Sequence, residues 1–464
     1  MTASDAAPSE HPGTADGRTP RAAVLLLVVL AVAFVVMAAV LTPWHPLSGA
    51  DPRAAPVHDY FSRAQIARSG DFFAAARWPS WLGLLVSLVV AVAVAFTPFG
   101  RALVVVVRRR VRWWWVQVIV LVVAVTLVQT IARLPFTAWS HHVARDWGLS
   151  TAGWGGWTVD LSKTFAVSVV LTSIAMVILV ALARRLPRLW YLPVAGATGA
   201  LVMVMSFAYP VVVQPIFNNF TPLHHGKLRA DLLRLAHEDG IEVSDVLVSD
   251  ASRRTSALNA YVSGFGATKR IVVYDNLLRS TPRAQIELIV AHELGHAKHR
   301  DVLVGTVEGA VASAGAVVGL FLVLRPRLLR RRVRAKSVGD PAIVPVVLGL
   351  AVLGSFVAAP VQDTISRHVE ARADAHSLHL THDPGDFVGM QQHLALVNLN
   401  HLTPNPVLSF WFGTHPTTLE RIGMGVAWQE RHGDQSGLPH QHRVKVAPLE
   451  PGRSPGDDAS SGGG

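Results

Sequence analysis

The sequence predicts a mainly α-helical, polytopic membrane protein with about seven transmembrane helices and a small α+β domain. Hydrophobic residues make up 51% of the 464 residues and charged residues only 16%, whereas soluble chains carry about 25% charged residues. The apolar residues form runs that approach the roughly 20 residues needed to cross a hydrocarbon core. A hydrophilic segment with strand-like runs follows the fifth apolar run, and it predicts the α+β domain.

The candidate transmembrane helices are the apolar runs at residues 22–41, 81–99, 113–132, 164–183, 189–213, 302–324 and 342–361. Residues 1–20 are polar and rich in Pro, Ala and Gly, which predicts a disordered tail. They lack the basic start of a signal peptide, so no cleavage is expected. Residues 433–464 are rich in Gly, Ser, Pro and charge, and a second disordered tail is predicted there.

The hydrophilic segment between the fifth and sixth apolar runs predicts a helix, three short strands and a second helix. In this order they lie at residues 227–240, 245–250, 257–264, 270–278 and 281–300. Gly240 is expected to close the first helix, and Gly264 and Gly266 form the turn between the second and third strands. Thr281 is predicted to cap the second helix, with Pro282 in its first turn.

The second of these helices contains the residues HELGH at 292–296. A spacing of four places His292 and His296 on one helical face, where both imidazoles can bind one zinc ion. Glu293 can accept the proton of a zinc-bound water, whose pKa falls to about 7. This pattern indicates a zinc-dependent peptidase. The alternative is a surface helix with two histidines, but the flanking IELIV run predicts a partly buried helix, in which histidines need partners.

Arginine and lysine give the chain a net charge of +11, a feature that is also typical of nucleic-acid-binding proteins. Much of this charge lies instead in three short loops between apolar runs, at 100–112, 184–188 and 325–341. With seven spans these loops share one side of the membrane, which the positive-inside rule makes cytoplasmic. We therefore expect a multi-pass protein of the cell membrane, no nucleic-acid partner, and a catalytic segment that faces away from the cytoplasm.

Two histidines and a water leave one zinc coordination position to be filled, and the chain contains no cysteine. The best candidate is Glu370, in the segment DTISRHVEARADAHSL at 363–378. Asp374 follows on the same helical face and can accept the free ring N–H of a ligating histidine. A solvated helix is the alternative. Carboxylates at this spacing repel unless a positive charge lies between them, which favours the metal interpretation.

HELGH followed by SRHVEARAD resembles the integral-membrane CAAX prenyl proteases of type I and their bacterial relatives, the heat-shock membrane proteases. Both are gluzincins, in which HExxH is completed by a distant glutamate with an aspartate four residues later. The resemblance continues through PIFNNFTPL (215–223), NAYVSGFGATKRIVVYDNLL (259–278) and FGTHPTTLERI (412–422). The number of spans matches the CAAX proteases better than the shorter heat-shock proteases.

This resemblance implies that one zinc ion per chain is bound by His292, His296 and Glu370. It also implies that Glu293 is the general base and acid of peptide-bond hydrolysis. The hydrophilic segment would then be part of a small gluzincin catalytic domain.

The same resemblance implies roles for four further residues. Asp374 would support a ligating histidine, and Arg421 would brace the glutamate ligand. Asn259 matches an asparagine on the edge strand that holds the substrate backbone, where a peptide can add by β-augmentation. His415 matches a histidine near the zinc that stabilises the oxyanion.

The expected function is that of a membrane-embedded zinc metalloendopeptidase. Its partners would be the lipid bilayer and a peptide or protein substrate, either prenylated or membrane-bound. Two alternatives stay open: a membrane-protein quality-control protease of the heat-shock type, and a non-enzymatic membrane protein with a structural zinc. The expected divisions begin with a disordered tail (1–20), five transmembrane helices (21–213) and the zinc-peptidase segment with its HExxH helix (214–301). They continue with two transmembrane helices (302–361), a C-terminal catalytic segment with the glutamate ligand (362–432) and a second disordered tail (433–464).

Overall fold

The computed structural model describes residues 18–47, 52–264, 266–326 and 334–432. Within these residues seven helices are long and apolar enough to cross a membrane, which confirms the predicted number. The predicted tails lie outside the described residues, except that residues 18–20 begin the first helix. The expected division of the chain into six segments stays a prediction.

In the described residues of the N-terminal part, up to Phe217, the regular secondary structure is helical. Its helices are α1 (Arg18–Leu41), α2 (Val57–Tyr60), α3 (Arg63–Phe96), α4 (Pro98–Arg110), α5 (Trp114–Asp146), α6 (Trp154–Arg185), α7 (Tyr191–Ala208) and α8 (Gln214–Phe217), with a π-helical turn at Tyr209–Val213 before α8. Five candidate spans lie here, in α1, α3, α5, α6 and the continuous run from α7 to α8.

The hydrophilic segment and the remaining spans follow. In chain order they are β1 (Phe220–Pro222), α9 (Lys227–Glu238), β2 (Asp245–Ser249), β3 (Ala260–Ser263), β4 (Arg270–Tyr274), α10 (Asp275–Ser280), α11 (Arg283–His299), α12 (Asp301–Leu324), α13 (Val344–Thr381), α14 (Pro384–Val397), α15 (Pro406–Phe412) and α16 (Thr418–His432), with 3₁₀ turns at Ala251–Arg253, Gly266–Thr268 and Pro341–Ile343. Helices α12 and α13 contain the sixth and seventh candidate spans.

The segment predicted as a loop at 100–112 is mostly the helix α4, so that expectation was wrong. The hydroxyl of Thr97 accepts a hydrogen bond from the backbone N–H of Phe99 at 3.2 Å, and Pro98 occupies the first helical turn. Both features favour a helix start. The basic segments nevertheless lie together at one end of the bundle: Arg108 pairs with Asp340, and Arg184 Nη1 donates to the carbonyl of Gly339 at 3.4 Å.

The four strands form one sheet in the order β1-β2-β4-β3. Strands β2 and β4 are parallel, and the outer strands β1 and β3 are antiparallel to their neighbours. The centre of β4 is buried because it has strands on both sides and helices against the sheet. Gly264 and Gly266 have φ angles of +99° and +56° after β3, which agrees with the predicted turn. Strand β3 is the last strand in this order, so it lies at the edge of the sheet.

The helix that carries HELGH begins at Arg283, so the predicted cap at Thr281 was wrong. Thr281 instead ends α10 in an extended conformation, and its backbone N–H donates to the carbonyl of Leu277 at 3.2 Å. Helix α11 is buried along most of its length, with Leu288, Val290 and Leu294 at 1% exposure or less. It packs on α13, α14 and β3, which confines HELGH to the interior of the domain.

Candidate active site

Two imidazole nitrogens and one carboxylate converge between α11 and α13. His292 Nε2 and His296 Nε2 lie 3.2 Å apart, because the two residues are one turn apart on the buried face of α11. Glu370 approaches from α13 and places Oε2 at 3.2 Å from His292 Nε2 and Oε1 at 3.6 Å from His296 Nε2. The structure thus brings together the three residues that the sequence analysis expected to bind a metal.

The dimensions of this cluster fit a small tetrahedral metal ion. With metal–ligand bonds of about 2.1 Å, a tetrahedral ion holds its ligand atoms about 3.4 Å apart. The observed separations of 3.2, 3.2 and 3.6 Å fall around that value. In addition, Glu370 Oε2 is buried and has no hydrogen-bond partner among the described residues, although a buried carboxylate oxygen normally has one. The set of two nitrogens and one oxygen is typical of a catalytic zinc site.

Glu293 is a second carboxylate near the two histidines. Its ligand atom and those of His292 and His296 all lie within 4.8 Å of one another. The Glu370 oxygens lie 3.2 and 3.6 Å from the two Nε2 atoms, which is the spacing of ligands around a tetrahedral ion, so the geometry fits Glu370 as the third ligand. Burial raises the pKa of the Glu293 carboxyl, although the neighbouring charges of His292 and His296 oppose the shift. A carboxylate whose pKa is raised toward neutrality is suited to proton transfer.

Asp374 is completely buried one turn after Glu370 and accepts hydrogen bonds from two sides. His292 Nδ1 lies 2.9 Å from Asp374 Oδ1, and this contact leaves Nε2 of the same ring directed at the cluster. Burial alone would lower the pKa of His292, but its hydrogen bond to Asp374 and the nearby carboxylate of Glu370 raise that pKa. This is the arrangement that the spacing of Glu370 and Asp374 predicted.

Arg421 differs from the expectation that it braces Glu370. Its Nε and Nη2 atoms donate to the two oxygens of Asp374, at 2.7 and 2.5 Å. Burial opposes the charge of this guanidinium, but the charge of Asp374 outweighs burial and raises the pKa of Arg421. The partner is Asp374 because the fully buried carboxylate needs a second donor, and two parallel hydrogen bonds match the shape of the guanidinium.

His415, in the loop before α16, approaches the same Glu370 oxygen as His292 of α11. His415 Nε2 is 3.2 Å from Glu370 Oε2, and Nδ1 is 2.9 Å from the hydroxyl of Thr414. Arg367 holds this loop by donating to the carbonyls of Ser409 and Gly413 at 3.0 and 2.6 Å. Burial lowers the pKa of His415 against the charge of Glu370, which favours the neutral ring with one N–H.

Asn259 lies directly before β3, at the edge of the sheet, and its side chain is exposed. Its carbonyl accepts a hydrogen bond from Tyr274 N on β4 at 3.1 Å. Because backbone groups alternate along an antiparallel pair, those of Leu258 and Ala260 point away from β4. The outward N–H of Leu258 donates to the side chain of Asn398 at 3.0 Å. Leu258 and Asn259 line the same cavity as His292 and Glu370, so this edge of the sheet borders the space beside the metal-ligand cluster.

A cavity of about 900 Å³ connects these residues. Its wall includes His292, Glu293 and Glu370, together with Asn259 and His415. The rest of the wall is largely apolar and includes Phe73, Trp81, Leu84, Leu394, Leu408 and Phe412. Phe73, Trp81 and Leu84 lie on α3, and the sequence analysis did not identify them. An aromatic pair in an apolar run gives no local signal that distinguishes a cavity wall from a lipid-facing surface.

Asp301, the first residue of α12, was also missed. Its Oδ2 lies 2.9 Å from His296 Nδ1, and its other oxygen pairs with Arg372 of α13. The available signal was a carboxylate that follows the second histidine of HELGH by five residues. That spacing exceeds one helical turn, so it places Asp301 near His296 only if the helix ends between them.

A buried His–His–Glu cluster at the base of a helical membrane bundle, with a further glutamate beside it, defines an integral-membrane metallopeptidase. The model of peptidase family M48 matches residues 222–424. The model described as CAAX prenyl protease N-terminal, five membrane helices, matches residues 50–219.

Individual relatives agree with these matches. An uncharacterized metalloprotease of Bacillus subtilis, YhfN, is 30% identical over 303 residues, which cover 65% of this chain and 71% of the relative. CAAX prenyl protease 1 of Saccharomyces cerevisiae is 27% identical over 322 residues, which cover 64% of this chain and 69% of the yeast protein. The chain belongs to peptidase family M48, and it is a multi-pass membrane metalloendopeptidase.

The fold is also known from a solved structure. The crystal structure of S. mikatae Ste24p matches with a TM-score of 0.71 at 20% sequence identity, and the match covers 87% of this chain and 98% of that chain. The predicted fold class, a polytopic helical protein with a small α+β catalytic domain, is therefore confirmed. The family resemblance inferred from HELGH, SRHVEARAD and the accompanying motifs is confirmed as well.

Proposed function

We propose that this chain binds one zinc ion through His292, His296 and Glu370 and uses it to hydrolyse peptide bonds of membrane-associated substrates. The observation that carries this proposal is the convergence of the two Nε2 atoms and the Glu370 carboxylate at 3.2 to 3.6 Å. Three protein ligands leave a fourth position for water or substrate, as catalytic zinc sites do, whereas structural sites use four protein ligands.

When bound, such an ion lowers the pKa of a coordinated water to about 7 and polarises a carbonyl. Glu293 takes up a proton from the attacking water and later passes it to the amine nitrogen that leaves. Its buried position supports this role, because burial raises its pKa toward the working pH. His415 donates its N–H to the oxygen that gains negative charge on the scissile carbonyl.

The remaining residues position these groups and the substrate. Asp374 accepts the Nδ1–H of His292 and thereby fixes the tautomer with Nε2 free, and Arg421 holds Asp374. Asn259 and the edge of β3 bind an extended peptide by main-chain hydrogen bonds. A substrate on this edge lies in the cavity that Glu293 and His415 also line.

Replacement of Glu293 by glutamine tests the metal and the base separately. The variant retains all three proposed ligands, so its zinc content, measured by elemental analysis of the purified protein, should equal one ion per chain. Its peptidase activity should fall by about 10²–10⁴-fold, the usual contribution of a positioned base. Loss of zinc from this variant would mean that Glu293 is a ligand, and retention of activity would exclude it as the base.

The cavity also supports a proposal for the substrate class. A volume of about 900 Å³ is sufficient for an extended peptide segment together with a bulky apolar group. The side chains Phe73, Trp81 and Leu84 give that group an apolar surface on the second span. A prenylated peptide has both parts, and several relatives are named CAAX prenyl proteases.

The edge strand favours a second candidate, the degradation of unmodified membrane proteins in quality control. Recognition through main-chain groups of β3 selects an extended conformation and not a particular sequence. Purified enzyme incubated with a farnesylated CAAX peptide and the same peptide without the lipid separates the two. Faster cleavage of the farnesylated form supports the prenyl proposal, whereas equal rates support quality control.

We further propose that the protein lies in the cell membrane with the catalytic domain outside the cytoplasm. The exposed arginines of α4, the end of α6 and the following loop lie at the other end of the bundle, which favours a cytoplasmic position for that end. Since the chain contains no cysteine, single substitutions report sidedness without background. In intact cells an impermeant maleimide should label Glu430→Cys and should label Ser337→Cys only after lysis. The opposite pattern would reverse the orientation.

A further inference from the structure

Each of the two histidines at the proposed metal site has its own carboxylate, largely shielded from solvent, at its Nδ1 atom. Asp374 lies 2.9 Å from His292 Nδ1, and Asp301 lies 2.9 Å from His296 Nδ1. Both carboxylates are in turn held by an arginine, Arg421 for Asp374 and Arg372 for Asp301. The first pair joins α13, which contains Asp374, to α16, which contains Arg421. The second pair joins Asp301, at the start of α12, to Arg372 on α13.

The backbone at the end of α11 brings Asp301 to His296. Arg300 adopts a left-handed conformation with φ of 57°, so the chain reverses there and α12 starts at the next residue. The side chain of Asp301 thereby turns back onto the last turn of α11, and it is 9% exposed. A non-glycine residue in this region costs on the order of 1 kcal/mol, so the contacts made by Asp301 offset a local strain.

We propose that Asp301 is a positioning residue for the metal site. Its carboxylate accepts the Nδ1–H of His296, which fixes the tautomer with Nε2 free and orients the ring toward Glu370. Arg372 pairs with the other oxygen of Asp301 and so fixes the position of the carboxylate. This inference rests on the proposed binding of zinc by His292, His296 and Glu370.

A purely structural role is the competing explanation for Asp301. An acidic residue in the first turn of α12 interacts favourably with the helix dipole, and its ion pair with Arg372 ties α12 to α13. Such a role would affect the stability of the protein and leave its affinity for zinc unchanged. The two explanations therefore differ in a measurement that does not depend on peptidase activity.

The experiment measures the zinc dissociation constant of full-length protein in detergent micelles. Zinc is removed with a chelator, and the ion is then titrated back in competition with a chelating dye. Asp301→Asn should raise the dissociation constant by about 10–100-fold, as loss of a carboxylate behind a ligating histidine does. Asp374→Asn should act similarly, and the exposed Asp59→Asn should bind zinc like the wild type.

Two further results complete the test. Arg372→Gln keeps the Asp301 carboxylate but removes the arginine that fixes it, so a smaller increase of the zinc dissociation constant is expected. If Asp301→Asn fails to fold, the Arg372→Gln variant provides the test. Visible absorption of the Co²⁺-loaded protein should change in both variants, since the orientation of His296 changes. If both variants bind zinc with wild-type affinity, the proposed role of Asp301 is refuted, and the proposed metal site is unaffected. A wild-type protein that binds no zinc would overturn the proposed metal site, and this inference with it.

Discussion

Replacement of Arg421 by methionine should destabilise the protein, measured after removal of metal by a chelator, by about 3 kcal/mol. Removing one partner of a buried ion pair costs about 3–5 kcal/mol, because the other charge is left uncompensated. Asp374 is 0% exposed and Arg421 15% exposed, and two hydrogen bonds of 2.7 and 2.5 Å join them. The lower end of the range is expected because His292 Nδ1, at 2.9 Å, remains as a donor to Asp374.

Thermal unfolding in detergent micelles measures this effect, and a double variant tests its cause. Methionine keeps the length of the arginine stem, so little packing is lost. In the double variant Arg421→Met with Asp374→Asn no buried charge is left unpaired, and the unfolding midpoint should therefore recover part of the loss. Arg109→Met is the matched control, since Arg109 is exposed on α4, and it should unfold like the wild type. If Arg421→Met also unfolds like the wild type, the buried pair does not stabilise the site.

Three other predictions concern the site and its supports. Gly295→Ala in HELGH would place a Cβ 3.0 to 3.2 Å from three side-chain atoms of His376 on α13; it should destabilise the protein by about 1–3 kcal/mol in thermal unfolding, and His376→Ala should restore part of this loss. A Cβ on Gly423 would collide with the backbone oxygen of Arg53, so Gly423→Ala should release the segment before α2 and make it sensitive to limited proteolysis, whereas alanine at Gly385, where a Cβ would make only an ordinary contact of 3.7 Å, should not. His415→Ala should lower kcat by about 10²–10³-fold with unchanged zinc content, and a loss of zinc would contradict its assignment as an oxyanion donor.

Sequence reasoning succeeded where the signal is local. The number of spans follows from the length and composition of single apolar runs, and the pairing of His292 with His296 follows from helical spacing. Glu370 was selected by chemistry, because an incomplete zinc site requires another ligand and two carboxylates four residues apart repel unless a positive charge lies between them. The edge position of Asn259 was available only through the family resemblance.

Sequence reasoning failed where several elements meet. The partner of Arg421 depends on which carboxylate is fully buried, and this is decided by the packing of α16 against α13. The contact between Asp301 and His296 depends on a left-handed residue between two helices, and no glycine marks it. The start of α11 was misjudged because Thr281 has the chemistry of a cap but is needed to end α10.

The ligands proposed for the metal are separated in the chain by one complete span and the apolar part of another. His292 and His296 leave the ribosome before α12, whereas Glu370 follows the apolar stretch of α13. A nascent chain therefore carries an incomplete centre until its last span has been inserted. With Glu370 as the third ligand, the proposed metal centre cannot be completed before the last span is in place, so hydrolytic activity would begin only when membrane integration is nearly finished.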